Sequence, residues 1–510
     1  MKTPDLLNKA RYRIKSVTTF ALVSAFLVLL VPGSSSGMAW AQISSAASTQ
    51  PSSSISSSNY SNSPQSSSAI NLSPQGQTPF LGSVPAGKAT SEIIPLSFSD
   101  AINRGLQQNL GLLLSSDNLL ASRGQRWKEL ANLLPNFNGS IAENVQTVSI
   151  AQFGFKIPGI PRVVGPFNYF DGRASGTQSL FNWNYIEKER AAAQNIKQAQ
   201  YSYKDARELV VLVVGNAYLQ AIAGGARVDA ADAQVKTAQA LYNKAADQQK
   251  AGVTPAIDTL RAQVEFQTRQ QQLIVARNDL AKQMLGLARI IGLPPGQQFS
   301  LSEKVPYAPL LTPGLEESLQ RAYSSRSDYQ AAMSQVRAAE FSRRAATAEY
   351  YPTLGVEADY GDIGISPLRS NGTYHVGGTL SIPIFQGGRA HGDSLQAEAQ
   401  LRQARSQLEN LRGQIDYDVR SAMLDLNAAA DQVEVARSSL DLAQQTLIQA
   451  QDRFSAGVTD NLEVVQAQEA LAAANENYIS SLYAHNLAKV EFAHAIGFAE
   501  QGVKQYLKGK

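Results

Sequence analysis

The amino-acid sequence predicts a mixed α and β fold, mainly α, in which one structural unit occurs twice. Three observations predict this class. A short turn sequence recurs 205 residues further along the chain, long stretches without proline place apolar side chains every three or four residues, and shorter stretches alternate apolar with polar side chains. The first observation indicates an internal duplication, the second long coiled-coil helices, and the third amphipathic strands.

The N-terminus has the three parts of a secretory signal peptide. A basic stretch ends at Lys15, an apolar run extends over 20–31, and Ala39-Trp40-Ala41 precedes the expected cleavage point. Retention as a membrane anchor is the alternative, but the run is shorter than the roughly 20 residues that a spanning helix needs. Cleavage places the mature chain outside the cytoplasm, and no later segment has 18 uninterrupted apolar residues.

The composition then divides the chain into six segments. The stretch after the signal peptide is rich in Ser and Pro, which predicts a disordered leader because it has few large apolar groups to bury. The segments are the signal peptide 1–41, the leader 42–92, a first repeat 93–293, a proline-rich connector 294–313, a second repeat 314–498 and a C-terminal tail 499–510.

Charge and cysteine content exclude several classes of protein. The sequence has 45 basic and 42 acidic residues. Five of the basic residues and one of the acidic residues precede the cleavage point, which leaves 40 basic and 41 acidic residues in the mature chain. This balance predicts no electrostatic attraction to nucleic acid or to a membrane surface. The chain contains no cysteine, so disulfides, thiolate metal sites, cysteine nucleophiles and a lipidated N-terminal cysteine are excluded.

Each repeat is predicted to have the same order of elements. A first helix ends before a proline, two strand-like segments follow, and a long helix then leads through the turn Ala-Gly-Val-Thr, at 251–254 and 456–459, into a return helix. The predicted helices are 99–134, 183–250 and 255–291 in the first repeat and 314–351, 389–454 and 460–496 in the second.

The long helix of the second repeat carries a continuous apolar seam. Its members are spaced by three or four residues, with one stutter at Ile415, as coiled-coil packing requires. A helix of this length extends on the order of 100 Å, so it needs neighbours along its whole length. The seam consists of Leu401, Ala404, Leu408, Leu411, Ile415, Val419, Ala422, Leu426, Ala429, Val433, Ala436, Leu440, Ala443, Leu447, Ala450 and Phe454, and a shorter one in the first repeat of Val228, Ala231, Val235, Ala238, Tyr242 and Ala245.

The strand-like segments follow a two-residue period. Segments of about ten residues with one apolar and one polar side are typical of outer-membrane strands around a wet lumen. Two ordinary hairpins that cap a helical bundle are the alternative. In the first repeat the apolar side consists of Phe137, Ile141, Val145 and Thr147, with a less distinct partner segment at 174–181. In the second repeat it consists of Leu354, Val356, Ala358, Tyr360, Tyr374, Val376, Leu380, Ile382 and Ile384.

These features together resemble the TolC-like outer-membrane efflux proteins over residues 96–498. The resemblance rests on a helix that ends at Leu-Pro or Tyr-Pro before a hairpin, on Ser-Leu-Phe and Pro-Ile-Phe at the hairpin exits, and on the two Ala-Gly-Val-Thr turns. It implies a homotrimer in which four strands per chain close a shared 12-stranded transmembrane β-barrel and the helices form a tapered coiled-coil tunnel in the periplasm. It also implies a periplasmic adaptor (a membrane fusion protein) and an inner-membrane pump as partners.

Closure by several copies also follows from the strands themselves. Four strands cannot enclose a lumen, and an open strand edge in lipid would leave backbone groups unpaired at several kcal/mol each. Oligomerisation removes these edges from lipid.

In this family the two turns lie at the periplasmic mouth, so the resemblance assigns the pore gate to residues at the start of the return helices. Asp258 and Glu463 each lie six residues after a turn glycine, and Gln466 stands where a further acid can occur. Repeated by threefold symmetry, the acids would form anionic rings that favour cations; surface acids that merely complement the helix dipole are the alternative. Phe454 and Thr459 replace the tyrosine and arginine of the family's gate network.

The turns themselves are predicted to contact the adaptor. Their glycines are expected to have the positive φ that a tight turn requires. Thr254 and Pro255 have the residue types of a helix N-cap and a first helical position. The predicted adaptor-contact residues are Gly252, Val253, Thr254, Gly457, Val458 and Thr459.

No arrangement of residues for catalysis is found in the sequence. The four histidines lack a paired metal-ligand spacing, and no phosphate-binding loop is present. We therefore predict no enzymatic activity, no cofactor and no metal site. The predicted function is passive passage from a pump and adaptor assembly to the exterior, in efflux or type I secretion. A non-conducting periplasmic coiled-coil scaffold or adaptor is the alternative.

Overall fold

A computed structural model describes residues 79–150, 154, 161–303, 307–310, 313–459 and 461–507. The predicted signal peptide and residues 42–78 of the predicted leader lie outside this part of the chain. Within it, the protein is mainly helical with a smaller amount of sheet, which confirms the predicted class at that level.

The described residues form nine α-helices and six strands. The helices are α1 Phe98–Gln108, α2 Leu110–Ala131, α3 Trp183–Lys250, α4 Ala256–Ile290, α5 Leu315–Ser325, α6 Ser327–Thr347, α7 Arg389–Ser455, α8 Asn461–Ala495 and α9 Ala499–Leu507. The strands are β1 Ile94–Leu96, β2 Asn136–Ser149, β3 Val163–Phe181, β4 Phe299–Leu301, β5 Thr353–Ser366 and β6 Arg369–Ser381.

The two long helices, α3 and α7, have nearly the predicted bounds. Helix α3 begins where the Asn182 side chain accepts a hydrogen bond from the backbone N–H of Tyr185, at 3.2 Å. Helix α7 begins after Gly388, whose φ is 85°. Every residue of both predicted seams is buried or half-buried, so the apolar spacing correctly identified the packed side of each helix.

The shorter helices pack against the long ones at two levels, the first near the sheet and the second near the turns. Helix α3 contacts α2 and α6, which adjoin the sheet, and also α4 and α8, which adjoin the turns. Helix α7 contacts α6 in the first level and α8 in the second. The long helices therefore connect the sheet to the turns, and the turns lie at the far end of the bundle.

The prediction of one continuous helix before the first hairpin is wrong, because the chain breaks at Asn109. This residue is extended and fully buried, and it ends α1 and caps α2. Its Oδ1 accepts a hydrogen bond from the N–H of Gly111 at 3.0 Å, and its Nδ2 donates to the carbonyl of Phe80 at 2.6 Å. A side chain that bonds the local backbone competes with the helix, and here a distant carbonyl completes its bonding.

The equivalent helix of the second repeat breaks at Arg326, again contrary to the prediction. Arg326 is extended, and its guanidinium bonds Asp328 at 2.7 Å and Asp418 of α7 at 3.0 Å. Only the packing of α7 against this junction provides the second carboxylate. The apolar spacing of the sequence continues across both breaks and contains no sign of them.

The four longer strands form one antiparallel sheet in the order β2-β3-β5-β6. Strand β3 starts at Val163, well before the predicted segment 174–181. The two edge strands run in opposite directions, because each step across the sheet reverses the strand direction.

The register brings the apolar sides of the strands onto one face of the sheet. Ile141 pairs with Gly172, and Ala174 pairs with Tyr360, which in turn pairs with Tyr374. Directly paired residues point to the same face. This face is exposed in the single chain, to 83% at Ile141 and 79% at Tyr374. The opposite face carries polar and charged residues, including Arg173 and Asp359.

Three ordered parts were not predicted. Residues 90–92, assigned to the disordered leader, bond to the Gln297 side chain: the N–H of Thr90 donates to its Oε1 at 2.7 Å, and its Nε2 donates to the carbonyl of Glu92 at 2.8 Å. Strand β1 pairs in parallel with β4 of the connector. The predicted C-terminal tail forms α9, in which Ala499 and Val503 are fully buried.

The apolar interior has two parts. The larger lies around the middle of α3, where Val210, Val211, Val214 and Tyr218 are fully buried. Helix α3 contains an 18-residue window that is apolar and long enough to span a membrane. No other helix among the described residues contains such a window. Half of that window is buried inside the structure, as in the core helix of a folded bundle. The smaller part lies at the turns.

Candidate functional site

The two turns at the end of the bundle have the same backbone geometry. Gly252 has a φ of 72° and Gly457 a φ of 71°, which confirms the predicted left-handed conformation. The N–H of Gly252 donates to the carbonyl of Gln249, and that of Val253 to the carbonyl of Gln248, both at 2.9 Å. This pair of bonds is the Schellman motif, which ends a helix at a glycine.

The second turn repeats these bonds. The N–H of Gly457 donates to the carbonyl of Phe454 at 3.1 Å, and that of Val458 to the carbonyl of Arg453 at 3.0 Å. The two hairpins, α3–α4 and α7–α8, therefore end in matching turns.

The residues that follow the glycines differ in exposure. Val253 is 72% exposed and Val458 69%, while Thr254 and Thr459 are half-buried. The two valines are therefore the exposed apolar side chains of the turns, and their contact with an adaptor stays a prediction.

The predicted N-cap at Thr254 is wrong. Helix α4 starts at Ala256, Pro255 occupies the cap position, and no side chain caps the helix. The Thr254 hydroxyl is buried without a hydrogen-bond partner. The tight turn places Pro255 one position earlier relative to the helix than sequence reasoning assumed.

Asp258 lies between the two hairpins. It is only 6% exposed, and its Oδ1 lies 3.6 Å from a guanidinium nitrogen of Arg261. The Asn461 side chain of α8 donates to its backbone carbonyl at 3.1 Å. The contact between Asp258 and Asn461 therefore joins α4 to α8.

Glu463 lies at the surface of the same end. Its Oε1 bonds a guanidinium nitrogen of Arg453 at 2.7 Å, so the last turn of α7 is linked to the first turn of α8. Gln466 is exposed. Arg453 was missed in the sequence, although a basic residue in the last turn before an acid of the next helix was a usable signal.

A small apolar cluster holds the two hairpins together at this end. Phe454 is 5% exposed and Val464 fully buried, and the Lys244 ammonium lies 5.7 Å from the Phe454 ring centre. Phe454 was predicted to stand at a gate position; the structure places it inside this cluster. The cluster consists of Leu241, Ala245, Ala262, Leu447, Ala450, Phe454, Val464 and Ala467.

Polar side chains are buried beside this cluster. Glu265 and Arg269 form an ion pair at 2.6 Å, and both side chains are less than a tenth exposed. Gln468 is 6% exposed with neither side-chain polar atom paired, and the Oδ1 of Asn461 is also unpaired. Each unpaired buried polar group costs about 1–3 kcal/mol, so this end of the bundle is held less strongly than the apolar core.

The polar face of the sheet carries a second group of charges. Arg173 bonds Asp359 at 2.6 Å and Asp171 at 3.1 Å. His375 lies on the same face, with its Nδ1 3.7 Å from Asp359. The two faces of the sheet therefore differ: the exposed face of Ile141 is mostly apolar, with Glu143 and Asp362 as its acids, and the opposite face carries this group of paired charges.

Comparison with protein families identifies one match. The model described as outer membrane efflux protein matches residues 101–293 and 318–497, which together are more than half of the chain. The alkaline protease secretion protein AprF of Pseudomonas aeruginosa is 24% identical over 316 residues. That alignment covers 60% of this chain and 65% of AprF, so the match spans less than two thirds of the relative.

Several solved structures have a similar fold. The outer membrane protein VceC of Vibrio cholerae superposes with a TM-score of 0.69 at 19% identity, covering 79% of this chain and 96% of VceC. The CmeC outer membrane channel of Campylobacter jejuni superposes with a TM-score of 0.68 at 16% identity, covering 88% of this chain and 98% of CmeC. At these identities the similarity is one of fold.

Proposed function

Because the chain belongs to the outer membrane efflux protein family, we propose that it is the exit duct of a tripartite efflux or type I secretion system. Like its relatives it is an outer-membrane protein that extends into the periplasm. In the proposed assembly three copies share one barrel and one helical tunnel, and substrates pass through them without chemical change.

The observation that carries this proposal is the two-faced sheet with open edges. Its exposed apolar face suits lipid, and its charged face suits a wet lumen. Among the described strands, β2 pairs only with β3 and β6 only with β5. In lipid such edges would leave backbone groups unpaired.

Opposite strand directions at the two edges allow closure by identical copies. Strand β6 of one copy can pair with β2 of the next in the antiparallel sense, and repetition of this contact forms a ring. Four strands from each of three copies make 12. The two proposed repeats, 93–293 and 314–498, each contribute one hairpin.

The helices support the same assembly. Helix α7 has a second apolar stripe, defined here as Tyr417, Leu424, Val435 and Leu442, and each member is at least 61% exposed. Their spacing of seven, 11 and seven residues keeps them on one side of a helix. In the proposed tunnel a neighbouring copy covers this stripe.

The proposed gate is the turn end of the bundle. There Asp258, Glu463 and Gln466 would line the mouth. Loss of the Arg453–Glu463 ion pair and of the poorly paired contacts at Asn461 would let the helical hairpins α3–α4 and α7–α8 separate. The proposed adaptor contacts are the residues of the two turns, 252–254 and 457–459. In the proposed system the partner pump supplies the energy.

Cysteine cross-linking tests the closure. The chain has no natural cysteine, so Val376→Cys can be combined with one cysteine at a time along the same face of β2, at 137, 139, 141, 143 or 145. Oxidation of outer membranes is expected to give dimers and trimers for at least one pair and nothing larger. The matched controls place the β2 cysteine at 138, 140 or 144, on the opposite face.

Conductance of the purified protein tests the function itself. A detergent-solubilised trimer that conducts ions in a planar bilayer is expected. A stable water-soluble monomer, or a cross-linked series that continues beyond the trimer, would contradict the duct. The first of these outcomes would favour the scaffold instead.

A further inference from the structure

A cavity of about 420 Å³ opens between α3, α4, α8 and β4. Its walls are mainly apolar and include Leu219, Ile222, Met284, Leu301 and Leu482. This volume lies in the range of small-molecule sites, which combine apolar walls with a few polar groups. The cavity lies in the middle of the bundle, away from both the turns and the sheet.

One polar group in the cavity lacks a partner. Asn486 lines the cavity and is only 3% exposed. Its Nδ2 donates to the carbonyl of Leu482 at 3.0 Å, but its Oδ1 has no hydrogen-bond partner. A buried amide oxygen without a donor destabilises the folded chain, and a ligand N–H would satisfy it.

The remaining acceptors of the cavity are carboxylates. The Tyr483 hydroxyl already donates to Asn216 at 2.6 Å and also bonds the Gln220 side chain. Asp229 and Glu303 line the cavity and are exposed. Neither carboxylate has an ion-pair partner among the described residues, and none of the described lining residues is basic.

A cation next to the cavity wall is already engaged. Arg227, beside the lining residue Ala226, bonds Glu476 at 2.9 Å and Ser480 at 3.2 Å. The cavity therefore combines apolar walls, unpaired acceptors and two negative charges. The complementary molecule has an apolar body and a group that is both positively charged and rich in N–H donors.

We infer that this cavity is a binding site for a small amphiphilic amine, whose ammonium group bonds the Asn486 Oδ1 and faces Asp229 and Glu303. The site does not depend on the proposed transport function, since its residues are brought together within one chain. Its apolar walls set the size of the ligand body, and the acceptors select ammonium over a neutral group.

Calorimetry on the full-length protein in non-ionic detergent tests the inference. The probe is 1-aminoadamantane, and 1-adamantanol has the same cage with a hydroxyl in place of the ammonium. One amine per chain is expected to bind, roughly tenfold more tightly than the alcohol, because a hydrogen bond from a charged donor is stronger than one from a neutral donor. Micelles without protein provide the blank for partition into detergent.

Three variants locate the binding. Asp229→Asn with Glu303→Gln is expected to remove the preference for the amine while the cage still binds. Ala226→Phe, which fills the cavity, is expected to abolish binding of both probes, with an unchanged circular dichroism spectrum as the check on folding. Asp441→Asn, an exposed acid on α7, is the matched control and should bind as the parent does.

Two results would overturn the inference. One is equal affinity for the two probes in the parent protein. The other is loss of the preference in Asp441→Asn as well as in the double variant, which would indicate general attraction of cations. Because conductance is not measured, neither result bears on the proposed duct.

Discussion

Single side chains at the turn end of the bundle differ in how firmly they hold their neighbours. Phe454 and Val464 are packed in an apolar cluster, whereas Glu463 is held by one partly exposed ion pair with Arg453. Exposed ion pairs contribute about 0–1 kcal/mol. The charged contact is therefore the one that a docking partner can most easily replace.

The acids at this end are expected to influence ion passage. Asp258→Asn combined with Glu463→Gln should weaken cation selectivity in planar bilayers, seen as a reversal potential closer to zero, because three copies would lose two negative charges each. Glu92→Gln, at an exposed acid of the N-terminal segment, is the control. Unchanged selectivity in the double variant would remove these two residues from the gate.

Two titratable residues near Arg326 are expected to give opposite pH dependence. Burial lowers the pKa of His494 to about 4, and Arg326 adds to the effect. The unfolded state therefore binds the proton more tightly, and stability falls as the pH drops from about 6.5 to 4. Burial raises the pKa of Asp205 to about 6, and Asp328 adds to the effect. That contribution is present below about pH 4 and is lost as the pH rises through 6.

The two effects offset each other between about pH 4 and 6, and substitution separates them. Asp205→Asn should make the midpoint of thermal unfolding fall more steeply as the pH drops from 6 to 4, whereas His494→Gln should make it fall as the pH rises from 4 to 6. Circular dichroism at 222 nm measures both. Parallel pH profiles for the parent and both variants would show that neither residue has the shifted pKa.

Helix α7 shows how one element serves two contacts. Its predicted seam is buried or half-buried within the chain, while the second stripe, 417, 424, 435 and 442, is exposed. The seam was visible in the sequence because its spacing is continuous. The second stripe has longer gaps, so its significance appeared only when the structure showed which apolar residues the chain itself leaves uncovered.

A charge in the second stripe is expected to block assembly but not folding. Leu424 is 70% exposed, so Leu424→Glu should leave the helical signal of the chain unchanged and reduce the trimer fraction in native electrophoresis. Leu426 is 2% exposed, and Leu426→Ala should instead lower the unfolding midpoint through a cavity. A fully trimeric Leu424→Glu protein would contradict the proposed neighbour.

The C-terminal helix α9 is expected to contribute to stability. Val503 is fully buried against the main core, and the N–H of Glu500 donates to the Glu208 carboxylate at 3.0 Å. Val503→Ala should reduce the free energy of unfolding by about 2 kcal/mol, measured by denaturant titration. Gln501→Ala, at an exposed position of the same helix, should have little effect. If Val503→Ala lowers the free energy of unfolding no more than Gln501→Ala does, α9 is not packed in the core.

At the scale of the whole molecule, three surfaces stay uncovered by the part of the chain that the structure describes. These are the apolar face of the sheet, the strand edges at β2 and β6, and the second stripe of α7. All three are explained if lipid covers the first and identical copies cover the others. The proposed trimer in an outer membrane would leave none of the three exposed.

The orientation of the sheet can be tested by a matched pair of charges. Ile141 and Ser140 are adjacent in β2 and point to opposite faces. Ile141→Arg should impair insertion, because arginine facing the middle of the bilayer costs about 2–4 kcal/mol, whereas Ser140→Arg would face the lumen and be tolerated. Heat-resistant trimer in outer-membrane fractions measures insertion. Equal yields of the two variants would argue against a lipid-facing sheet.

The sequence alone was sufficient for features that depend on near neighbours. Spacing of apolar residues located α3 and α7 and their packed sides, two-residue alternation located the faces of β2, β5 and β6, and glycine at 252 and 457 marked the left-handed turns. These features follow from backbone geometry and from which side of one element is apolar, and both are written in consecutive residues.

Other features were decided only by the folded chain. The breaks at Asn109 and Arg326, the pairing of β1 with β4, the packing of α9 and the ion pair at Arg453 all need partners that are far away or in another element. A residue type does not specify which distant carbonyl, carboxylate or apolar surface will meet it. Tertiary packing supplies those partners, and their bonds then override the local preference of the chain.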